Sequence, residues 1–474
     1  MEKLRGKSGS QNRIRETANM SILECKGSLQ SKWKGPLNAY KIALFTPYTG
    51  GNLGDAAIQE AVITNIKRRH PGADIYLITL CPEVTAKVHG IPSLPIASWA
   101  ITGYSPGLSA ITRQGNDTNP PLTGKYNLMN RVKAAIKRAS WLYSILAHTY
   151  KSSAIVSKEI LHIVRAYKFM KGVSLLLISG GGQLDDYWGG PWGHPYALFK
   201  WGLLARAVGA RSVFLSVGTC ALEARLSNFF IRHALRIATY RSYRDQTSKR
   251  LLKHMAFTCK DAVYPDLAFS YVNKRGTHRG GNGDTGRVVG LSPIAYLSRY
   301  GWPKTDFSIY DRYFENLVHL ISNLVRRGHS IVLFATDLPD RKVVNDIVNS
   351  LTKDVSLDMQ DKIHKPFIDT VDDLIVQLLK VDYVVASRLH GIILSHLLCI
   401  PVLAISYDRK VETHMTDMGL SEYCMDFNSL KTITLIDRFE LLKTNVKCVS
   451  SILQQKNTDY IRALEWQYDC LLGK

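Results

Sequence analysis

The sequence predicts an α/β fold: two Rossmann-like domains facing across a cleft, followed by C-terminal helices. Three observations carry that prediction. Continuous apolar runs such as Val173–Ser179 and Tyr383–Ala386 lack in–out alternation, the pattern of parallel strands covered on both faces. Stretches with helical periodicity separate these runs. The strand–helix alternation also runs twice, on either side of a polar stretch at 273–286 that holds five glycines and no large apolar residue.

Residues 1–35 are basic and rich in Ser and Gly, and read as a mobile arm. An N-terminal domain at 36–272 follows. Lys41–Thr46 is its first strand, Gly50–Asp55 a Gly-rich turn and Ala56–Arg69 a helix, whose Ile58, Val62 and Ile66 form one apolar stripe. Asp74–Leu80 is the next strand, which makes the opening a βαβ unit. Residues 126–170 are a basic helical insertion. Val173–Ser179 then runs into Gly180-Gly181-Gly182. Helix Tyr196–Val208, strand Ser212–Val217, helix Phe229–Ile237, strand Tyr240–Tyr243 and helix Gln246–His254 complete the first half. The linker is 273–286. A C-terminal domain at 287–429 alternates strand Val288–Ser292, helix Tyr310–Arg327, strand Ser330–Ala335, helices Asp340–Leu351 and Val371–Leu379, strand Tyr383–Ala386, helix Gly391–Cys399 and strand Val402–Ser406. Residues 430–474 are amphipathic helices.

The formal net charge is +22, which implies an anionic partner. Residues 125–171 concentrate it: ten Lys/Arg stand against one acid, Glu159. Aromatic residues interleave with these cations, which suits an anionic membrane surface. The alternative is a solvated helical face. No nucleic-acid motif accompanies the segment, and no nucleic-acid partner is expected. Eight cysteines lie at least 22 residues apart, so there is no CxxC pair, and a reducing compartment is expected. The first residues contain no apolar signal core. The longest weakly polar run, Gly391–Tyr407, is broken by His396 and Pro401 and reads as a buried helix–strand pair rather than a membrane span.

The chemistry-bearing residues gather at strand ends. Arg388-Leu389-His390 follows the apolar strand Tyr383–Ala386 at the mouth of a helix, where open α/β sheets bind ligands and helix N-termini favour anions. The plain alternative makes Arg388 a loop cap and His390 a packed core residue. Gly50–Asp55 matches neither a P-loop nor GxGxxG, but its glycines let a ligand approach the backbone. Asn52, Gly54 and Asp55 are candidates there, and Asp55 reads equally as a helix cap. Gly181 and Gly182 open a loop whose Tyr187, Trp188 and Trp192 suit stacking on a sugar, or simple packing. Arg244 can fork a phosphate or carboxylate, Asp245 reads as a cap, and Asp266 is placed to face the cleft. No His/Cys/Asp cluster has metal spacing, so no metal is expected.

Taken in order, Gly51-Asn52-Leu53-Gly54-Asp55, Gly180-Gly181-Gly182, Arg244-Asp245 with Ser248, Pro265-Asp266-Leu267-Ala268, and Ser387-Arg388-Leu389-His390 with Pro401 and Tyr407-Asp408-Arg409-Lys410 resemble the polysaccharide pyruvyl transferase family. The resemblance spans roughly residues 40–420; the 1–35 arm and the 126–170 insertion fall outside its pattern. It implies a GT-B-like fold and transfer of the pyruvyl group of phosphoenolpyruvate to two hydroxyls of a sugar, as a ketal, with release of phosphate. It also implies Arg244, Arg388, Leu389 and His390 at the phosphoenolpyruvate. The donor's phosphate and carboxylate suit two guanidinium groups, and an imidazole suits proton transfer. His390 and Asp55 are the expected catalytic pair. Phosphoenolpyruvate is the co-substrate and no further cofactor is expected. The expected acceptor is a sugar of an exopolysaccharide or surface glycan, or its lipid-linked precursor. The expected location is the cytoplasm, with peripheral contact to the inner membrane face through 126–170. Two rivals remain: a GT-B glycosyltransferase using a nucleotide sugar, and a non-catalytic membrane-surface component of a polysaccharide assembly complex.

Overall fold

Fourteen strands and thirteen α-helices form two parallel sheets and their covers among the described residues. The computed structural model describes residues 40–98, 140–187, 189–255, 261–272, 288–300, 302, 305–354 and 360–473; for 140–154, His254, Lys353 and Asp354 it describes the backbone alone. The expected arm at 1–35, the linker at 273–286, Trp188 and positions 126–139 of the insertion lie outside these residues.

The first half runs β1 (Lys41–Phe45), α1 (Leu53–Arg69), β2 (Asp74–Thr79), α2 (Pro82–His89), β3 (Ser93–Pro95), α3 (Ser140–Met170), β4 (Leu175–Ile178), β5 (Gly181–Leu184), α4 (His194–Ala207), β6 (Arg211–Thr219), α5 (Arg225–Ile237), β7 (Tyr240–Tyr243), α6 (Gln246–Leu252) and β8 (Ala262–Val263). Its strands are all parallel in the order β3-β2-β1-β4-β6-β7-β8, with β5 also paired to β6. Gly181 and Gly182, expected in a loop, therefore begin a strand. The apolar run before them breaks at Ser179-Gly180, and the chain then resumes pairing with the same strand, β6, further along it.

The second half runs β9 (Val288–Ser292), α7 (Phe307–Arg326), β10 (Ser330–Leu333), α8 (Leu338–Asp354), β11 (Ile363–His364), α9 (Val371–Leu378), β12 (Tyr383–Ala386), α10 (Leu389–Leu397), β13 (Val402–Ser406), α11 (Arg409–Met418), β14 (Cys424–Asp426), α12 (Thr432–Thr444) and α13 (Val446–Leu472). The sheet order is β11-β10-β9-β12-β13-β14, again all parallel. Helix α10 starts two residues before the expected Gly391, with Arg388 at its cap position. It stops at Leu397 because Cys399 turns in the left-handed region, φ +57°, ahead of Pro401.

Each sheet reverses its order once, between β1 and β4 and between β9 and β12. Those switch points open crevices at the carboxyl ends of the strands, and the motifs at Gly50–Asp55 and Arg388–His390 lie directly after β1 and β12.

The halves are tied together in two ways. One continuous apolar cluster runs from Leu44 and Leu177 through Leu267 and Phe269 to Leu291 and Ile393. Helix α13 also crosses from the second half back to the first. On the second half, Asn457 Nδ2 donates to the His396 carbonyl at 2.7 Å. On the first, Gln467 donates to Ser242 Oγ at 2.7 Å, and Arg69 pairs with Asp469 at 2.7 Å and Glu465 at 2.9 Å.

Candidate active site

Asn52, not Asp55, caps α1. Its Oδ1 accepts from the Gly54 amide at 2.9 Å and the Asp55 amide at 3.1 Å, an ordinary N-cap. Asp55 is thereby left with its carboxyl in the cleft. Burial pushes that carboxyl up to about 6; His390 opposes the shift, and the neighbouring Asp337 and Asp266 add to it. The turn also bonds across the cleft: the Leu53 amide donates to the Thr336 carbonyl at 2.9 Å, and Asn52 Nδ2 reaches Asp337 at 3.5 Å. Two of its glycines are required by close approach. A Cβ on Gly51 would lie 2.4 Å from the Leu338 side chain, and one on Gly54 would lie 2.0 Å from His390 Nδ1. The His390 ring therefore rests directly on the first turn of α1.

Arg244 directly follows β7, and Asp245 caps α6 by accepting from the Ser248 amide at 2.6 Å. Beneath Arg244, strand β6 is irregular between Phe214 and Val217, with Ser216 at φ +49°. A Cβ on Gly218 would stand 2.7 Å from an Arg244 Nη. Asp266 caps the short turn at Leu267–Ser270 with one oxygen, accepting from the Ala268 amide at 3.0 Å. Its other oxygen lies 3.4 Å from Arg244 Nη1 and 3.8 Å from His390 Nε2. The second separation is that of an ion pair, too long for a hydrogen bond. Burial alone would raise the Asp266 carboxyl, but His390 and Arg244 hold it well below the usual carboxylate range.

His390 enters from the first turn of α10. Its Nε2 is buried and makes no hydrogen bond among the described residues, a polar atom held ready for a ligand. Arg388 at the cap of the same helix is already paired. Its Nε donates to Asp340 Oδ2 at 2.7 Å and its Nη2 to Asp340 Oδ1 at 3.0 Å, with Asp337 at 3.2 Å. Asp340 is fully buried. Burial disfavours the Arg388 charge, but these two carboxylates more than offset it and raise its pKa. The bonds use Nε and Nη2, so the Nη1 edge makes none among the described residues. Leu389 is a buried apolar wall of a small pocket shared with Arg244, Asp266, Lys410 and His414.

The sequence-predicted residues thus divide. Asn52, Gly54, Asp55, Arg244, Asp266, Leu389 and His390 converge, with Arg388 beside them. Gly181 joins them through its backbone, since a Cβ there would meet Asp55 Oδ1 at 3.6 Å; Gly182 stands next to it in β5, nearest Asp185. Trp192 packs instead against Tyr196 and Phe230, at ring distances of 5.5 and 5.6 Å. Among the described residues of that loop, Tyr187 meets the second half, 6.4 Å from Trp302. Trp302 belongs to a group with Tyr296 and Tyr407, and the Arg388 guanidinium lies 5.5 Å over its ring.

Sequence reasoning missed Trp302, Tyr296, Asp337 and Asp340. The two aspartates did carry a signal, because Asp337-Leu338-Pro339-Asp340 follows strand β10 as the other motifs follow theirs. Lys410, which closes the Tyr407-Asp408-Arg409-Lys410 motif, stands in the first turn of α11. Its ammonium charge is favoured by Tyr407 and Asp408 against the cost of burial. Asp185, also at the cleft, is raised to about 6 by burial, with Lys410 opposing. Among the described residues no group of three or more His, Cys, Asp or Glu side chains is placed to hold a metal ion.

A sequence model described as polysaccharide pyruvyl transferase matches residues 52–409. The chain belongs to the polysaccharide pyruvyl transferase family. The match begins at the α1 cap and ends in the first turn of α11, so it encloses every converging residue of this pyruvyl transferase family member. The fold is α/β, with two parallel sheets. Solved structures similar to it include a UDP-GlcNAc 2-epimerase from Methanocaldococcus jannaschii, at 9% identity and TM-score 0.49, covering 85% of this chain and 92% of that one. An ADP-heptose LPS heptosyltransferase II from E. coli matches at 11% identity and TM-score 0.38, covering 88% and 99%. A spinosyn rhamnosyltransferase matches at 11% identity and TM-score 0.45, covering 89% and 96%. No curated protein matches.

Proposed function

We propose that this cleft transfers the pyruvyl group of phosphoenolpyruvate to two hydroxyls of a sugar, forming a cyclic ketal and releasing phosphate. One observation carries the reading: Asp55 and His390, from the motifs at the two switch points, meet Arg244 and Asp266, which follow β7 and β8. The donor carries a phosphate and a carboxylate. Arg244, the open Nη1 edge of Arg388 and Lys410 are cations suited to them, and Leu389 is an apolar wall for the methylene.

The proton inventory fits. His390, oriented by Asp266, gives a proton to C3 of phosphoenolpyruvate, which becomes the methyl group. The first sugar hydroxyl adds to C2 and passes its proton to Asp55. The C2–O bond to phosphate then breaks, and the phosphate takes the Asp55 proton. The second hydroxyl adds to C2 and returns a proton to His390. Two hydroxyl protons are consumed, one on carbon and one on phosphate, and both side chains are regenerated. No further cofactor enters this scheme.

The acceptor is a glycan of a surface polysaccharide or its lipid-linked precursor, seated between the sheets against Tyr187 and Trp302. A sugar's C–H face packs on such rings while its hydroxyls reach the cleft carboxyls. The test is incubation of the purified protein with phosphoenolpyruvate and a panel of pyranosides and glycan extracts. Acceptor-dependent phosphate release and an acid-labile ketal support the reading. Inactivity across the panel together with turnover of a nucleotide sugar overturns it in favour of glycosyl transfer.

A further inference from the structure

Helix α3 lies outside the converging residues, and the cleft makes no use of it. Its inner face is fixed. Glu159, His162, Ala166 and Met170 are buried at helical spacing. Glu159 accepts from Lys200 Nζ at 2.8 Å, from the Tyr196 hydroxyl at 2.9 Å and from the Ser98 amide at 2.9 Å. His162 Nε2 meets the Pro95 carbonyl at 2.8 Å. Rolling the helix would strip a buried carboxylate of its ammonium partner and leave both charges buried without compensation. Helix α3 therefore cannot turn its outer face inward.

That outer face is apolar. Val156 and Ile160 are each 55% exposed, Val164 47% and Tyr167 40%. On a helix of about 3.6 residues per turn, these four fall within about one quarter of the circumference and run for about 16 Å. Leu161 adds a fifth exposed side chain. Lys158, Arg165 and Lys168 are exposed along the flank of the stripe. From 140 to 171 the sole acid is Glu159, and it is buried, so the described outer face carries cations without anions. Among the described residues no helix is long and apolar enough to cross a membrane.

We infer that α3 docks this protein onto an anionic lipid bilayer, lying along the interface with Val156, Ile160, Val164 and Tyr167 toward the acyl chains and Lys158, Arg165 and Lys168 on the headgroups. The combination decides the partner. A cationic face alone suits any polyanion, but an apolar stripe beside it gains only where it is also dehydrated, as at a bilayer surface. The inference is independent of the reaction in the cleft.

The test is flotation of the full chain with vesicles of phosphatidylcholine alone or phosphatidylcholine with phosphatidylglycerol. Binding to the anionic vesicles is expected at low salt, with weakening at high salt and little binding to the neutral ones. Each cation near the surface contributes about 1 kcal/mol, so the triple variant Lys158→Glu, Arg165→Glu, Lys168→Glu, which removes three cations and adds three anions, loses more than about 100-fold in affinity. Ile160→Asp, at an exposed position, weakens binding while leaving the melting temperature unchanged. A control triple, Lys87→Glu, Lys365→Glu, Lys380→Glu, makes the same change in net charge at other exposed sites and retains binding. Absence of binding to anionic vesicles overturns the inference. Equal weakening by the two triples also overturns it, because overall charge would then be the cause.

Discussion

Replacing Gly54 by Ala separates the two halves of the candidate site with a single methyl group. The added Cβ would lie 2.0 Å from His390 Nδ1, 2.1 Å from Cγ and 2.4 Å from the His390 Cβ. Rotating the ring away relieves the first two contacts but not the third, because that atom is set by the backbone of α10. Restoring an ordinary 3.4 Å contact from 2.4 Å requires α1 and α10 to part by about 1 Å. Ala in a helix gains about 1 kcal/mol over Gly, and overpacking of this kind costs about 1–3 kcal/mol. The net loss of stability is therefore at most about 2 kcal/mol. A misplacement of about 1 Å at a reacting group costs roughly 100-fold in rate. The expected variant is folded, melts a few degrees lower, and has kcat/KM for phosphate release from phosphoenolpyruvate reduced about 100-fold. Gly72→Ala is the control, since a Cβ there meets nothing within 4 Å. Wild-type kcat/KM in a folded Gly54→Ala protein would refute the placement of His390 over α1 as a requirement for catalysis.

Arg388 and Arg244 should behave differently. Arg388→Met strands the fully buried Asp340 and should cost about 3–5 kcal/mol in denaturant unfolding; Arg244→Met, whose partners are looser at 3.4 and 3.5 Å, should lose less stability and mainly raise the KM for phosphoenolpyruvate. Asp55→Asn should lower turnover yet stabilise the fold above pH 6. The folded Asp55 carboxyl titrates at about 6 against an ordinary 3.8, so the wild type holds more protons folded than unfolded between those values, and its stability falls as pH rises through them. The gain from Asn, on the order of 3 kcal/mol at neutral pH, should close as melting scans approach pH 4; a gain that is constant with pH would contradict the assignment. Trp302→Leu should raise the acceptor KM severalfold through loss of stacking with the phosphoenolpyruvate KM unchanged, whereas an unchanged acceptor KM would place the sugar elsewhere.

Much of this molecule was legible in one dimension. Strands Val288–Ser292, Tyr383–Ala386 and Val402–Ser406 fall where their apolar runs place them, because a strand buried on both faces leaves a continuous local signature. The same locality placed Arg244 and His390 at strand ends and Asp266 ahead of the linker facing the cleft, and their order along the chain pointed to the family. Helix bounds near polar turns were less legible: Asn52 and Asp55 are both good caps, and the choice depends on which carboxyl has a partner elsewhere. Trp192 and Tyr187 were indistinguishable by composition, since both are aromatic and flanked by polar or glycine residues.

What the sequence by itself determined is the alternation of strands and helices, the parallel sheets that such alternation requires, and the residue types at each sheet edge. Only the tertiary structure decided which of them meet. His390 rests on Gly54, Arg388 is balanced by Asp340 and Asp337, and α13 returns to bind the first sheet. The reason is physical: periodicity reports the burial of each side chain against its own element, whereas close approach and charge pairing depend on coordinates of residues far apart in the chain.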